Sequence, residues 1–575
     1  MHSERYFSMR AHFYEREQNL AFRFKLQEFE TIWNCTNKNV KRILKDFMEK
    51  EWLTYIPGKG RGNPSKIIFF EPFQTEIEKS VKQCLEIGEL DQAAHLLRLP
   101  IPKSWIIKAS PELRQLFSHQ KKTDTKDILH GFITRELTTL DPLKVAVANE
   151  AHLIEQLGDP LLKYNDLEDK IIPHLAHHYE SDETHQEWTL YLRKGILFHD
   201  REELTSRDVA STLDRVKNGP PDHSWMAEEI SEIECPNPYK VIIRLKKPNA
   251  FFSRYLASST ICILPTDIPF NEYEWIGTGP FFIKERNKNK LVLRAFDGYF
   301  KERPLLDEIH FFKVSQDAVG IMNYTVERNH SASPLSKNEI ETGFRFLAFN
   351  FNKQTIVQHP AFREAIFHLL NMKQMADDLG WGEWIESSSF IAHRSTHQPK
   401  HPNLIPSLLN KSGYVGERLT VFHLNYTSAK EEARWFADQA KKYGISLELR
   451  PFDFHEFYGS TMDAEVDLIF MGEVSSLDPH LSFLGAFYNH TLLFRRMFPS
   501  EDLQWIDERL DEIKKLTNAE DREKIMAEIE AYIRKKHLLI FQHHPVKVRT
   551  FHPLLKDVQF QSFGHFDFSK LWIPS

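Results

Sequence analysis

Between Val40 and Met48 the apolar residues Val40, Ile43, Leu44, Phe47 and Met48 recur at i, i+3, i+4, i+7 and i+8, and every residue between them is charged. Only a helix with 3.6 residues per turn puts such a set on one face. The segment "NKNVKRILKDFMEKEWL" is therefore expected to be an α-helix with one buried stripe and Thr36 as its N-cap. The opposite face then presents Asn37, Lys38, Asn39, Lys41, Arg42 and Lys45. Lys and Arg neutralise phosphates, and Arg or Asn can read guanine or adenine edges in the major groove of double-stranded DNA. A recognition helix makes such contacts with its N-terminal residues, where these groups cluster.

The flanking sequence fits the same use. Leu26, Phe29, Ile32 and Trp33 in "KLQEFETIWNC" have helical spacing. Leu53–Ile56 and Lys66–Phe70 suit two short strands, joined by the turn "PGKGRGNPS" with Lys59 and Arg61 at its tip. Residues 20–70 are thus expected to hold three helices and a hairpin, the hairpin acting as a wing against an adjacent groove or backbone. The turn lacks the GxxxxGK[ST] spacing of a phosphate loop. From Thr36 to Phe70 there are eight Lys/Arg and three Asp/Glu, a net of +5 in a chain of net charge −7, which leaves −12 on the remainder. Positive charge is concentrated where the fold would meet DNA.

At 575 residues the chain is too long for one hydrophobic core, so two to four domains are expected. Arg5, Arg10, Glu15, Arg16, Glu17, Arg23 and Lys25 interrupt every apolar run of the roughly 7–15 residues that an export signal needs. No window approaches the ~20 apolar residues of a membrane span. Cys35, Cys84, Cys235 and Cys262 are scattered without a CxxC pair, which suits a reducing compartment. These features lead to the expectation of a cytoplasmic chain with no membrane partner. No G-x-S-x-G, HExxH or phosphate-loop spacing is present, so neither an enzyme nor a cofactor is expected. His174, His177, His178, His543 and His544 are read as scattered surface residues and no metal site is expected.

The stretch "CTNKNVKRILKDFMEKEWLTYIPGKGRGNPSKIIF", with its junction "EWLTY" and turn "GRG", resembles the N-terminal domain of SgrR-type transcriptional regulators. The resemblance implies a small α+β winged helix-turn-helix at about 20–70 and takes in the helical continuation "TEIEKSVKQCLEIGELDQAAHLLRL". The N-terminal DNA-binding domain is accordingly placed at 1–120 and a polar linker at 121–126.

From Asp127 onward strands and amphipathic helices alternate. Thr205 and Asp208 form a candidate capping box before the helix "SRDVASTLDRV". "LTVFHL", "ISLELRPF" and "VDLIFM" read as strands around the helix "SAKEEARWFADQAKKY", a βαβ unit. "LTTLDPLK", "WTLYLRKGILFHDREELTSRDVASTLDRV", "GTGPFFIKERNKNKLVLRAFDGYFKERPLLDEIHF", "FLAFNFNKQTIVQHPAFREAIFHLLN" and "VDLIFMGEVSSLDPHLSFL" resemble, in order, the oligopeptide/dipeptide class of solute-binding proteins, family 5. This resemblance implies a two-lobed α/β fold of the periplasmic-binding-protein type over 127–575, its second lobe at about 343–544, closing by hinge motion on an enclosed small-molecule solute.

Within these blocks Gly277, Gly279 and Pro280 are expected to make a close backbone turn, and Arg193, Gly195, Phe198 and His199 to serve as scaffold. Asp307 and Glu308 are expected to cap the following element. Peptide receptors of the class carry W-x-A-D-Y-x-D-P, whose aspartate pairs with a peptide ammonium group. Here the block is "GEVSSLDP", so Gly472 stands for the Trp and Ser475 for the Asp. A serine hydroxyl cannot supply the charge-assisted bond of a carboxylate. Glu473, Ser475 and Ser476 are candidate ligand-binding residues, and Trp275, Trp381 and Trp384 are candidate stacking platforms for a sugar, sugar phosphate or peptide-like solute. The combined expectation is a cytoplasmic, ligand-responsive regulator that binds operator DNA, as a homodimer where half-sites are paired. The alternative is a solute-binding protein of a transport system whose N-terminal module binds a protein partner.

Overall fold

The computed structural model describes residues 2–33, 35–58, 64–86, 96, 99, 101, 126–133, 136–145, 148–313, 324–326, 335–340, 343–457, 461–474, 477–558 and 567–574. The N-terminal module consists of α1 (His2–Phe13), β1 (Ala21–Phe24), α2 (Leu26–Trp33), α3 (Asn37–Glu49), β2 (Thr54–Ile56), β3 (Ser65–Ile68) and α4 (Phe73–Glu86). Its antiparallel sheet has the order β1-β3-β2.

The stripe on α3 buries Val40, Ile43, Leu44 and Phe47, but Met48 is 40% exposed. The helix ends at Glu49, the chain turns through a left-handed Glu51, and Trp52 folds back over the Phe47 ring, bypassing Met48. Thr36 occupies the N-cap position, where its carbonyl accepts from the Asn39 and Val40 N–H groups; its hydroxyl makes no capping bond.

Residues 20–70 contain two helices among the described residues, not three, because Ala21–Phe24 is a strand. Phe22 and Phe24 are buried and Arg23 between them is exposed, the period of two that sets a half-buried strand. The helices that complete the module, α1 and α4, flank that span. They are clamped by Arg10, which is wholly buried, donates Nε to Glu17 Oε1 at 2.9 Å, pairs with Glu76 of α4 and stacks 3.9 Å over the Phe69 ring.

Beyond the N-terminal module, β4 (Ile128–Ile133) is followed by the hairpin β5 (Leu162–Asn165) and β6 (Lys170–Pro173). Next come β7 (Ala176–Ser181), β8 (Glu187–Leu192), β9 (Ile230–Asn237) and β10 (Lys240–Leu245), a four-stranded sheet of order β7-β8-β10-β9. Then follow β11 (Phe281–Arg286), β12 (Lys290–Ala295), β13 (Glu308–Lys313), β14 (Tyr324–Val326), β15 (Leu335–Ile340), β16 (Gly343–Phe349), β17 (Trp384–Glu386), β18 (Arg418–Leu424), β19 (Ser446–Phe452), β20 (Leu468–Val474), β21 (Leu539–Phe541) and β22 (His543–Phe551). A mixed sheet runs β11-β12-β13-β4-β14-β22-β15, with β17 added on β22, and a five-stranded sheet runs β19-β18-β20-β16-β21. Among the described residues the chain enters the second sheet at Gly343, touches the edge of the first sheet where β17 pairs with β22, returns to the second sheet from β18 to β21, and passes back to the first through β22.

The expected βαβ unit is present: β18 pairs in parallel with β19 and β20 around the helix Thr427–Lys442, which buries Ala433, Phe436 and Ala440. Both bonds of the Thr205–Asp208 capping box are made. A Cβ on Gly277 would lie 2.4 Å from the Leu157 carbonyl oxygen, and one on Gly279 would lie 2.4 Å from the Leu157 carbonyl carbon, so this turn requires glycine. Asp307 accepts from the Asp127 N–H, while Glu308 caps nothing. It begins β13 as a buried carboxylate bonded to Lys284, His310 and Lys126. Burial works to raise its pKa, but these three donors prevail and hold it at about 2.

One large core joins the four-stranded sheet to the five-stranded sheet and the C-terminal helices, and a second fills the mixed sheet. The N-terminal module has its own core, against which Phe132 of β4 also packs. Among the described residues no helix is long and apolar enough to cross a membrane.

Candidate functional site

On α3, Lys38, Lys41 and Arg42 are exposed on the side away from the buried stripe, and no ion pair engages them among the described residues. Asn37 and Asn39 are half-buried in the first turn. Lys45 is exposed but lies 3.5 Å from Glu49, which partly offsets its charge. Lys59 and Arg61 at the tip of the turn lie outside the described residues. The face therefore offers three unpaired cations and two amides on a helix held from behind by an aromatic core (Phe47, Trp33, Trp52, Tyr6). That arrangement can lie along a phosphate backbone without first breaking internal pairs.

A second site lies between the lobes, a cavity of about 110 Å³. The helix Ala148–Leu157 and the turn after it supply Glu155, Gln156 and Asp159; β5 supplies Lys163 and Tyr164. The short helix Phe252–Tyr255 supplies Arg254, and Leu477, Asp478 and Leu481 close the cavity from the other lobe. Asp159 is held from three sides, by Thr278 Oγ1 at 3.0 Å, His174 Nε2 at 2.7 Å and the Tyr299 hydroxyl at 3.4 Å. Burial lowers the pKa of His174, and Lys301 lies 2.8 Å from its Nδ1. A neutral ring that accepts from Lys301 and donates to Asp159 satisfies both nitrogens.

Across this cavity Arg254 Nη1 donates to Asp478 Oδ2 at 2.7 Å while its Nη2 donates to Asp169 Oδ1 at 2.6 Å. Asp478 is also the N-cap of the helix Pro479–Tyr488, its Oδ1 accepting from the His480 and Leu481 N–H groups. One carboxylate thus anchors a helix in the second lobe and grips an arginine in the first. A further interlobe pair, Lys514 with Glu229 at 3.0 Å, lies among the aromatic contacts of Trp225, Tyr255 and Tyr488.

Of the candidate solute-binding residues singled out in the sequence, the described ones, Trp275, Trp381, Trp384 and Glu473, do not line the cavity. Trp275 is 3% exposed, its Nε1 donates to the Leu140 carbonyl at 2.8 Å, and its ring fills the space that side chains at Gly158 and Gly277 would occupy. It is a packing post, closed to a solute. Trp381 and Trp384 pack edge to face at the β17–β22 junction, where Trp381 also meets the His543 ring at 4.7 Å. Glu473 is half-buried on β20, and burial pushes its pKa up to about 8. Ser475 and Ser476 lie outside the described residues. Gly472, where the related block has Trp, has its side-chain space filled by the Arg345 guanidinium.

The histidines read as surface residues divide. His177 and His178 are exposed on β7, whereas His174, His543 and His544 are buried. His174 is drawn in by Asp159; His544 is bonded to Ser395 and to the Gly343 carbonyl. Among the described residues no group of three or more His, Cys, Asp or Glu is disposed to hold a metal ion. Sequence reasoning missed Arg254, Gln156 and Lys163. None carries a motif, and Arg254 meets Asp478 across 224 positions of chain.

Comparison with known proteins follows the same division. The family model of bacterial extracellular solute-binding proteins, family 5, matches residues 170–492, and that of the sugar transport-related sRNA regulator N-terminus matches residues 2–107. The uncharacterized protein YhjP of Bacillus subtilis is 29% identical over 499 residues, covering 85% of this chain and 84% of its own. The HTH-type transcriptional regulator SgrR of Pectobacterium atrosepticum is 25% identical over 562 residues, covering 95% of this chain and 94% of its own. Among solved structures, the Escherichia coli murein tripeptide binding protein MppA superposes with a TM-score of 0.67 at 18% identity, over 78% of this chain and 99% of that one.

Proposed function

Because the chain belongs to the bacterial extracellular solute-binding proteins of family 5 and carries an SgrR-type N-terminal segment, we propose that it is a transcriptional regulator that binds DNA through its N-terminal module and senses a small solute in its interlobe cleft. The reading head falls within residues 1–120, and the sensor within 127–575 with its second lobe at about 343–544. The protein acts in the cytoplasm, where DNA and solute are both available.

The observation that carries this reading is the cationic face of α3, Lys38, Lys41 and Arg42, unpaired among the described residues, on a module whose core is also touched by Phe132 of the sensor's mixed sheet. Helix α3 supplies the groove contact, and the antiparallel strands β2 and β3 stand beside it as the hairpin of the winged module. Phe132 gives the two parts a mechanical link. A change in lobe closure that shifts β4 alters the surface on which the N-terminal module rests. The effect on DNA affinity is then limited by the solute's differential affinity for the open and closed states.

Fluorescence anisotropy with duplexes tiled across the DNA upstream of the protein's own coding sequence tests the first half of this reading. One or more duplexes should bind far more tightly than scrambled DNA, with affinity falling steeply as salt rises. Equal, weak binding to all duplexes would overturn it.

A further inference from the structure

Three side chains that line the interlobe cavity carry polar atoms with no hydrogen bond or salt bridge among the described residues. Gln156 is 4% exposed, and its carbonyl Oε1 is buried without a hydrogen bond. Glu155, its neighbour on the same helix end, makes no hydrogen bond or ion pair. Lys163, on β5 opposite, has no ion-pair partner either. The other cation at the cavity, Arg254, is already committed to Asp169 and Asp478. An unmade hydrogen bond at a buried amide oxygen is destabilising, so a bound donor would recover stability there.

Taking the cleft as the solute site, as proposed above, we propose that it selects a single-residue zwitterion, a small amino acid whose ammonium group is accepted by Glu155 and Gln156 Oε1 and whose carboxylate is held by Lys163. The size agrees: about 110 Å³ is below the roughly 300–1,000 Å³ of pockets that hold drug-sized ligands. The charge balance agrees as well. Arg254 and Asp478 offset each other, which leaves three carboxyl groups (Glu155, Asp159 and Asp567) at the cavity against Lys163, so a phosphorylated sugar would meet net repulsion. Burial raises the Glu155 pKa to about 7 against the pull of Lys163, so its full charge awaits a cation such as an incoming ammonium group. The lost aspartate of the peptide-binding block at Ser475 is, on this account, replaced from the opposite lobe.

The test is calorimetric titration and thermal melting of the full chain with glycine, L-alanine, L-serine and β-alanine, beside ethylammonium, acetate, glycyl-alanine and glucose 6-phosphate. At least one amino acid should bind and raise the melting temperature, whereas ethylammonium and acetate, each carrying one end of the zwitterion, should not. Glu155→Gln, Gln156→Met and Lys163→Met should each weaken that binding about tenfold or more while each unliganded variant still melts in a single cooperative transition. Three separate substitutions guard against one that fails to fold. Binding of glucose 6-phosphate or glycyl-alanine alone, undiminished by these substitutions, would overturn the zwitterion and leave the cleft as the solute site. Amino-acid binding unaffected by all three would overturn the assignment to this cavity. The sensor reading itself falls only if none of the eight compounds binds and binding to upstream DNA is also absent.

Discussion

Arg254 and Asp478 form a nearly dry ion pair, 2.7 Å long, between the two lobes, with 6% and 5% of their side chains exposed. The same Asp478 caps a helix and the same Arg254 holds Asp169, so the closed arrangement rests on a small shared network. Removing one partner leaves the other charged and buried, at a cost of about 3–5 kcal/mol. Arg254→Met should lower the urea midpoint accordingly. The double variant with Asp478→Asn, which keeps the cap and removes the stranded charge, should recover a large part of the loss. Additive losses in the double-mutant cycle would mean that the pair is not coupled.

Salt dependence reports the DNA contacts of α3. Replacing Lys41 and Arg42 with Ala should reduce the slope of log K against log salt by about 0.9 for each phosphate left without its cation. Thermal stability should be unchanged, because both side chains are exposed and unpaired among the described residues. An unchanged slope would remove α3 from the interface.

Glu155 gives a pH signature. Its folded pKa, about 7, lies above the ordinary carboxylate value, so between roughly pH 4.5 and 7 the folded state holds a proton that the unfolded state has released. The group's contribution to stability is therefore lost as pH rises through that window. Glu155→Gln should gain on the parent by about 1–3 kcal/mol from the bottom of the window to the top. Parallel stability curves would show that the carboxyl is not held neutral.

Phe132 is the contact through which β4 meets the N-terminal core. Phe132→Ala should leave solute affinity and DNA affinity each close to parental when measured alone. It should reduce the effect of one on the other, by about 0.5–2 kcal/mol of coupling. Full retention of coupling would place the link elsewhere.

Local pattern carried a large part of the fold. The α3 stripe, the Thr205–Asp208 box and the β18–β20 unit depend on spacing within a few residues, which periodicity records directly. Ala21–Phe24 was hidden because four residues are too few to display a period, and Met48 was misplaced because its exposure depends on where Trp52 returns. The interlobe site was less legible for a related reason. Gln156, Lys163, Arg254 and Asp478 are brought together by tertiary contacts alone, and the tryptophans that stood out by type are taken up in packing. Conspicuous residue types revealed the scaffold, whereas ordinary polar residues supply the cavity.

Solute and DNA are, in the function proposed above, read by one coupled molecule. The decisive measurement is a pair of titrations on the full chain: DNA affinity with and without a saturating amino acid from the panel above, and affinity for that amino acid with and without the bound duplex. Linkage requires the two ratios to be equal, and a common factor of about 5–150 in either direction is expected. Ratios of one in both titrations, with each ligand demonstrably bound, would refute the coupling.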